Sequence, residues 1–215
     1  EMGSQAGNKP RRKRRRALFI YASEFYFSGQ RRATEYIIAG LAGTKWDCVR
    51  QPMPTYHRRE LALKEMFKWL FLLSLAWRQT RKMMGEGFDV AHINLGQSWA
   101  SLVREGAAVL LAKFSDEPPR IIVSLHGSWF MEWRPDSVRA SMLAYCVRHS
   151  AAVTVLGEDQ RDKLMSWGLP REKIHIIDNC CDLPPIDWPD LERKHTERRV
   201  AIAMDVRSAT SLPLV

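Results

Sequence analysis

Three consecutive residues, His126, Gly127 and Ser128, hold the groups in this chain best placed to do chemistry. An imidazole with an ordinary pKa near neutrality can hydrogen-bond a hydroxyl in either role. A glycine beside it lets the backbone turn sharply and lets a ligand approach closely. The residues before them, Ile121 to Leu125, are aliphatic with one serine, the pattern of a strand buried on both faces. Such strands belong to parallel sheets, which bind ligands beyond their carboxyl ends. Taken alone, the stretch reads more simply as a strand end whose histidine bonds a loop carbonyl.

Other segments deliver comparable residues. Glu24 to Arg32 is a loop bearing Gly29, Gln30 and Arg31 between a strand and a helix. That arrangement offers free backbone N–H groups to an anion, although neither G-x-G-x-x-G nor G-x-x-x-x-G-K-[ST] is present. Asn94 closes the strand Phe88–Asn94, and Glu158 follows the strand Ala151–Leu156.

The elements that must position these residues alternate along the chain. Strands are expected at Ala17–Ser23, Trp46–Arg50, Phe88–Asn94, Ile121–Leu125, Ala151–Leu156 and Lys173–Ile177. Helices are expected at Ala33–Leu41, within Arg58–Met84, and at Gln97–Phe114, Ser137–His149 and Gly157–Trp167. Gln51-Pro-Met-Pro54 should break the second strand. The alternation predicts an α/β fold with a doubly wound, mostly parallel Rossmann-like sheet. Right-handed crossovers then bring Gly29, Asn94, His126 and Glu158 to one rim. Their agreement turns the reading of His126 from strand end to site residue.

Apolar residues make up 46% of the 215, enough for a substantial core. The net charge of +9, from 33 basic and 24 acidic residues, favours an anionic partner. Arg11 to Arg16 supplies six of the positive charges and reads as a basic tail over residues 1–16. Residues 17–182 read as the Rossmann-like domain, and 183–215 as a proline-rich linker and the truncated start of a second domain. The four cysteines form no C-x-x-C pair, so a reducing compartment is expected. No signal peptide is read, and no apolar window reaches the ~18 residues of a membrane span.

The segment Arg58–Met84 is apolar nearly all round in its middle and basic at both ends. It could lie on an anionic membrane surface, with Trp69 and Trp77 at headgroup level and Lys68 and Arg78 on the lipid phosphates. A long core helix with a basic outer face is the other reading. The histidines have no metal-ligand spacing, so no metal is expected. Gly96-Gln97-Ser98-Trp99-Ala100 approaches a nucleophile elbow but lacks its second glycine, and a helix cap at Ser98 accounts for it better. The basic run is detached from any base-reading element, so nucleic acid is not an expected partner.

Phe88-Asp-Val-Ala-His-Ile-Asn94, Ile121-Ile-Val-Ser-Leu-His-Gly127, Ser150-Ala-Ala-Val-Thr-Val-Leu-Gly-Glu158 and Lys173-Ile-His-Ile-Ile-Asp-Asn-Cys-Cys-Asp182 occur in the order and spacing of family 4 glycosyltransferases. The chain resembles their amino-terminal, acceptor-binding half, and a His-Gly-Ser-Trp-Phe stretch is similar to members of surface polysaccharide assembly. The resemblance implies half of a GT-B fold and retaining transfer of a sugar from a nucleotide-sugar to a saccharide or lipid-linked acceptor. The nucleotide-sugar is then a substrate, and no cofactor is implied. The resemblance puts His126 at the transferred sugar or acceptor, and Gly29 near the donor phosphates with Gln30 and Arg31 beside it. It adds Asn94, Gly127, Ser128 and Glu158 as substrate-binding residues. It matches Asn179 and Asp182 to the turn leading into the linker. The family's usual glycine pair is Ser28-Gly29 here, its Ser/Thr position is Gly157, and its proline before the Asn-x-x-Asp turn is Asp178. The donor-binding half, with its two glutamates eight positions apart, has no match in these residues, so the chain alone is expected to be inactive. A cytoplasmic protein, peripheral on the inner face of the plasma membrane, is expected. The alternative is a non-catalytic α/β module that binds an anionic membrane surface or a partner protein.

Overall fold

A computed structural model describes residues 14–23, 29–55 and 63–177. The described residues all belong to one compact unit of the chain. They form strands β1 (Arg15–Ser23), β2 (Trp46–Pro54), β3 (Val90–Asn94), β4 (Arg120–Ser124), β5 (Ala152–Val155) and β6 (Ile174–Ile176). Between them lie helices α1 (Gly29–Leu41), α2 (Leu63–Met84), α3 (Trp99–Lys113), α4 (Val138–Arg148) and α5 (Glu158–Ser166). The strands make one sheet in the order β2-β1-β3-β4-β5-β6, and every pairing is parallel. This is the Rossmann-like α/β class expected from the alternation. The order reverses between β1 and β3, which places the crevice of such a sheet there.

Alternate residues of β1 show the two faces. Leu18 and Ile20 are fully buried with Leu73 of α2, Leu102 of α3, Leu143 of α4 and Leu164 of α5. Ala17, Phe19 and Tyr21 pack instead with Ile38 of α1. Each fully buried aliphatic side chain of this kind contributes about 1.5–3 kcal/mol. Right-handed crossovers explain the division: α1 returns toward β2 in one direction, while α2 to α5 all advance in the other.

Several boundaries differ from expectation. β1 begins two residues early because Arg16 is held rather than solvated. Its N–H donates to Asp89 Oδ2 at 2.7 Å, its guanidinium bonds Glu86, and Asp47 lies at 3.6 Å. β2 runs through Pro52 to Pro54 rather than stopping at Gln51. It is an edge strand, and an edge tolerates the missing N–H of proline. Helix α1 starts at Gly29, four residues before the expected Ala33. Asn179, Asp182 and the linker lie outside the described residues.

The largest correction concerns α2. Trp69 and Trp77 do not face outward: both are partly buried against the main core. The Trp69 indole donates to the Pro54 carbonyl at 3.3 Å, and that of Trp77 to the Arg104 carbonyl at 3.2 Å. They lie beside Leu73, Ala76, Thr80 and Met84 on the single stripe that meets the sheet. Lys68 and Arg78 are exposed, as expected of the basic face.

Candidate functional site at the carboxyl edge of the sheet

His126 follows β4 directly, at the middle of the rim. Its ring is partly buried, and both ring nitrogens are enclosed without a hydrogen-bond partner among the described residues. Burial lowers its pKa, so the imidazole is neutral at pH 7. A neutral imidazole carries one donor and one acceptor, and here both are uncommitted.

A buried polar relay runs beneath it. Thr154 of β5 donates to Ser124 Oγ at 2.6 Å, and Ser124 Oγ lies 2.8 Å from His92 Nε2 on β3. Burial, then the nearby His126, pushes the His92 pKa down to about 4. The relay is therefore uncharged, and it ties three neighbouring strands together just below the rim.

The loop after His126 is fixed by two glutamines. Gln97 Nε2 donates to the Gly127 carbonyl at 2.7 Å, and its Oε1 accepts from the Phe130 N–H at 2.9 Å. Gln160 Nε2 donates to the same carbonyl at 3.2 Å, and its Oε1 accepts from the Leu156 N–H at 2.9 Å. The loops after β3, β4 and β5 are thus bonded into one piece. Gln97 packs closely on Gly127: a Cβ there would lie 3.1 Å from Gln97 Nε2, so the glutamine would have to give by a few tenths of an ångström.

Ser128 is exposed at the start of a short turn, Trp129–Glu132, and makes no capping bond. With Glu158 it lines a cavity of about 320 Å³ that also touches Met131, Leu156 and Gln160. Glu158 is exposed at the first turn of α5 and pairs with Arg161. Ser128 and Glu158, far apart in sequence, therefore share one concavity beside the glutamine-held loop.

At the crevice between β1 and β3, Asn94 is buried and its amide donates to Thr34 Oγ1 and to the Gln30 carbonyl, the latter at 3.3 Å. Its role toward α1 is thus a tether, with Oδ1 enclosed and without a partner among the described residues. The tether sets Gly29, Gln30 and Arg31 in the first turn of α1 at the same edge, with Arg31 exposed. The preceding loop, 24–28, is outside the described residues.

A charged pair is buried behind the rim. Arg104 and Glu105 of α3 meet at 2.6 Å, and Arg104 also donates to the Pro54 carbonyl at 3.2 Å. Burial pushes the Glu105 pKa up to about 7, against the opposing pull of Arg104. Glu105 accepts from the Gly96 N–H, which holds the start of the Gln97 loop. Ser98 caps α3, accepting from the Ser101 N–H at 3.2 Å. Its hydroxyl is thereby engaged as a cap, not as a nucleophile.

Sequence reasoning missed Gln97, Gln160, His92 and Thr34. No spacing marks them, because each acts through a partner 30 or more residues away, apart from the local bonds of Gln160 to Leu156 and of Thr34 to Gln30. Among the described residues, no cluster of three His, Cys, Asp or Glu side chains could hold a metal ion.

A family model for Glycosyltransferase Family 4 matches residues 31–184. The chain belongs to glycosyltransferase family 4. The match covers the rim just described from Arg31 of α1 through α5. No curated protein sequence matches the chain significantly. Among solved structures, this family 4 chain is similar to the lipopolysaccharide outer core galactosyltransferase WaaB in its apo form. Identity is 14% with a TM-score of 0.54, over 80% of this chain and 47% of the other. A UDP-N-acetylglucosamine 2-epimerase is similar at 12% identity and TM-score 0.46, over 78% of this chain and 49% of that one. The family 4 chain thus spans about half the length of the solved relatives it matches. At 14% identity the likeness to WaaB shows the fold alone, which is the GT-B class.

Proposed function

We propose that this chain is the acceptor-binding half of a retaining glycosyltransferase, which moves a sugar from a nucleotide-sugar to a saccharide or lipid-linked acceptor. The observation that carries the reading is His126: a neutral imidazole just beyond the central strand β4, with both ring nitrogens enclosed and unpartnered among the described residues. An unsatisfied buried polar group costs about 1–3 kcal/mol, a cost that a bound hydroxyl offsets. Family membership and the WaaB-like fold support transfer chemistry, and the saccharide substrate named for WaaB supports an acceptor of that class.

Glycosyl transfer builds positive charge on the sugar and negative charge on the departing diphosphate. A neutral His126 accepts or donates to a sugar hydroxyl without opposing the first charge. Gly29, Gln30 and Arg31, at the start of α1, are suited to the second through backbone N–H groups, helix dipole and guanidinium. Ser128 and Glu158, across their shared cavity, offer a hydroxyl and a carboxylate to the acceptor. The donor is held by a second Rossmann-like domain beyond the described residues. The protein works as a peripheral protein on the inner, cytoplasmic face of the plasma membrane, where a lipid-linked acceptor presents its sugar.

The test uses a protein containing both halves. His126→Ala should lower kcat/KM for transfer at least tenfold, about 1.4 kcal/mol of transition-state stabilisation, with an unchanged circular dichroism spectrum. Unchanged turnover removes His126 from the site. The second reading, a non-catalytic module that binds an anionic surface, draws on the exposed apolar face of α2. A two-domain protein that transfers no sugar from any nucleotide-sugar, yet still binds vesicles, decides for it.

A further inference from the structure

We propose that the protein seats on an anionic lipid leaflet through the outer face of α2 and the adjoining start of α3, with the His126 rim turned toward the membrane. The inference rests on the membrane placement proposed above and not on the transfer chemistry. With Leu73, Ala76, Thr80 and Met84 turned to the core, helix geometry turns Phe67, Phe71 and Leu75 to the opposite side. Phe67 and Phe71 are 64% and 62% exposed, and a third neighbour, Leu70, is also open. Contiguous aromatic exposure of this kind is unusual for a surface that meets only water.

The same outward side carries Lys64 before the apolar ridge, Lys68 within its first turn, and Arg78 and Lys82 after it. Along its whole length α2 holds five basic residues and one acidic residue. An apolar ridge bracketed by cations fits the boundary between lipid headgroups and acyl chains. A second copy of the chain fits it less well, because a two-fold interface would set these cations against themselves.

The ridge also has a direction. Helices α2 and α3 run against the strands, so their first turns lie at the carboxyl edge of the sheet. Among the described side chains of α2, the exposed large apolar ones run from Met66 to Leu75, and five of the six lie in its rim-ward half. Trp99 opens α3 and is exposed, and Trp129, 64% exposed, stands three residues beyond His126. A leaflet on this surface places the rim loops at headgroup level, where tryptophan side chains partition. Trp69 and Trp77, by contrast, are engaged with backbone carbonyls inside the fold.

The experiment is vesicle sedimentation of the full chain with phosphatidylcholine containing about 30 mol% phosphatidylglycerol, beside phosphatidylcholine alone. We expect binding to the anionic vesicles that weakens at least tenfold in Phe67→Ser/Phe71→Ser and weakens with added salt. Trp129→Ser should weaken it severalfold. Phe114→Ser, at the far end of α3 and 72% exposed, should leave it unchanged. Circular dichroism should be unaltered throughout, since every substituted side chain is exposed. Equal binding by Phe67→Ser/Phe71→Ser, or an equal loss in Phe114→Ser, overturns the proposal. So does a wild-type dimer that Phe67→Ser/Phe71→Ser converts to monomer without altering vesicle binding. A two-domain protein that transfers sugar but ignores vesicles overturns the seating and leaves the transfer reading intact.

Discussion

Gln97 donates its side-chain amide to the main-chain carbonyl of Gly127 at 2.7 Å, joining the loop after β3 to the loop that carries His126. The bond is short and part-buried, and the other end of the same amide takes the Phe130 N–H. Gln97→Ala leaves that N–H and weakens the hold on Gly127, so it should cost about 1–3 kcal/mol in urea unfolding. Gln160→Ala likewise leaves the Leu156 N–H, but should cost less, because that group is only part-buried and the bond to the Gly127 carbonyl is the longer one, 3.2 Å. The two losses should not add, since both glutamines act on one acceptor. A larger loss in Gln160→Ala would reverse this ranking.

Gly96 is required for space. A Cβ at this position would lie 2.6 Å from both Cβ and Oγ of Ser101, closer than side chains approach. Gly96→Ala should therefore lower stability by about 1–3 kcal/mol. Ser101→Gly removes the obstructing atoms, and the double variant should lose less than the two single losses combined. Strict additivity in thermal or urea unfolding would refute the steric account.

Trp77 is a core residue with one polar obligation. Trp77→Phe keeps most of the packing but loses the indole hydrogen bond to the Arg104 carbonyl, at a cost of about 1 kcal/mol. Trp77→Ala should cost about 3–5 kcal/mol. A vesicle-binding defect in Trp77→Phe, with stability unchanged, would return this residue to the membrane surface.

His92 makes stability depend on pH with a definite sign. Its folded pKa, about 4, lies below the ordinary 6.5, so protons bind the unfolded chain better between these values. Its contribution is full above pH 6.5 and is lost as pH falls toward 4, by up to about 3 kcal/mol. Glu105 acts oppositely: its pKa is raised to about 7, so its contribution is lost as pH rises through that value. Comparing wild type with His92→Gln cancels the Glu105 effect. The variant, relative to wild type, should gain stability between pH 6.5 and 4.5, measured by urea unfolding. Parallel pH profiles would show that His92 does not titrate in this window.

The order of strands and helices was legible in the sequence, because buried parallel strands leave compact apolar runs and the helices between them need only length and period. His126 was legible for the same reason: the end of a buried run marks the rim. The hold on its loop was not. Gln97 and Gln160 follow no period, and their bonds to Gly127 span 30 and 33 residues. Asn94 was read as a binding residue, while the fold turns its amide to Thr34 and Gln30 as a tether for α1.

The sequence by itself determined the alternation, the parallel class and the position of a histidine at the end of the central strand. Local apolar period and chain length are sufficient for those. Only the tertiary structure decided which side of α2 faces the core. A helix apolar nearly all round has no unique stripe, so packing against the sheet selected one. That choice turned Trp69 and Trp77 inward and left Phe67 and Phe71 in the open. Tertiary packing also made the neutral relay under His126, because desolvation of His92 exists only once the strands have closed around it.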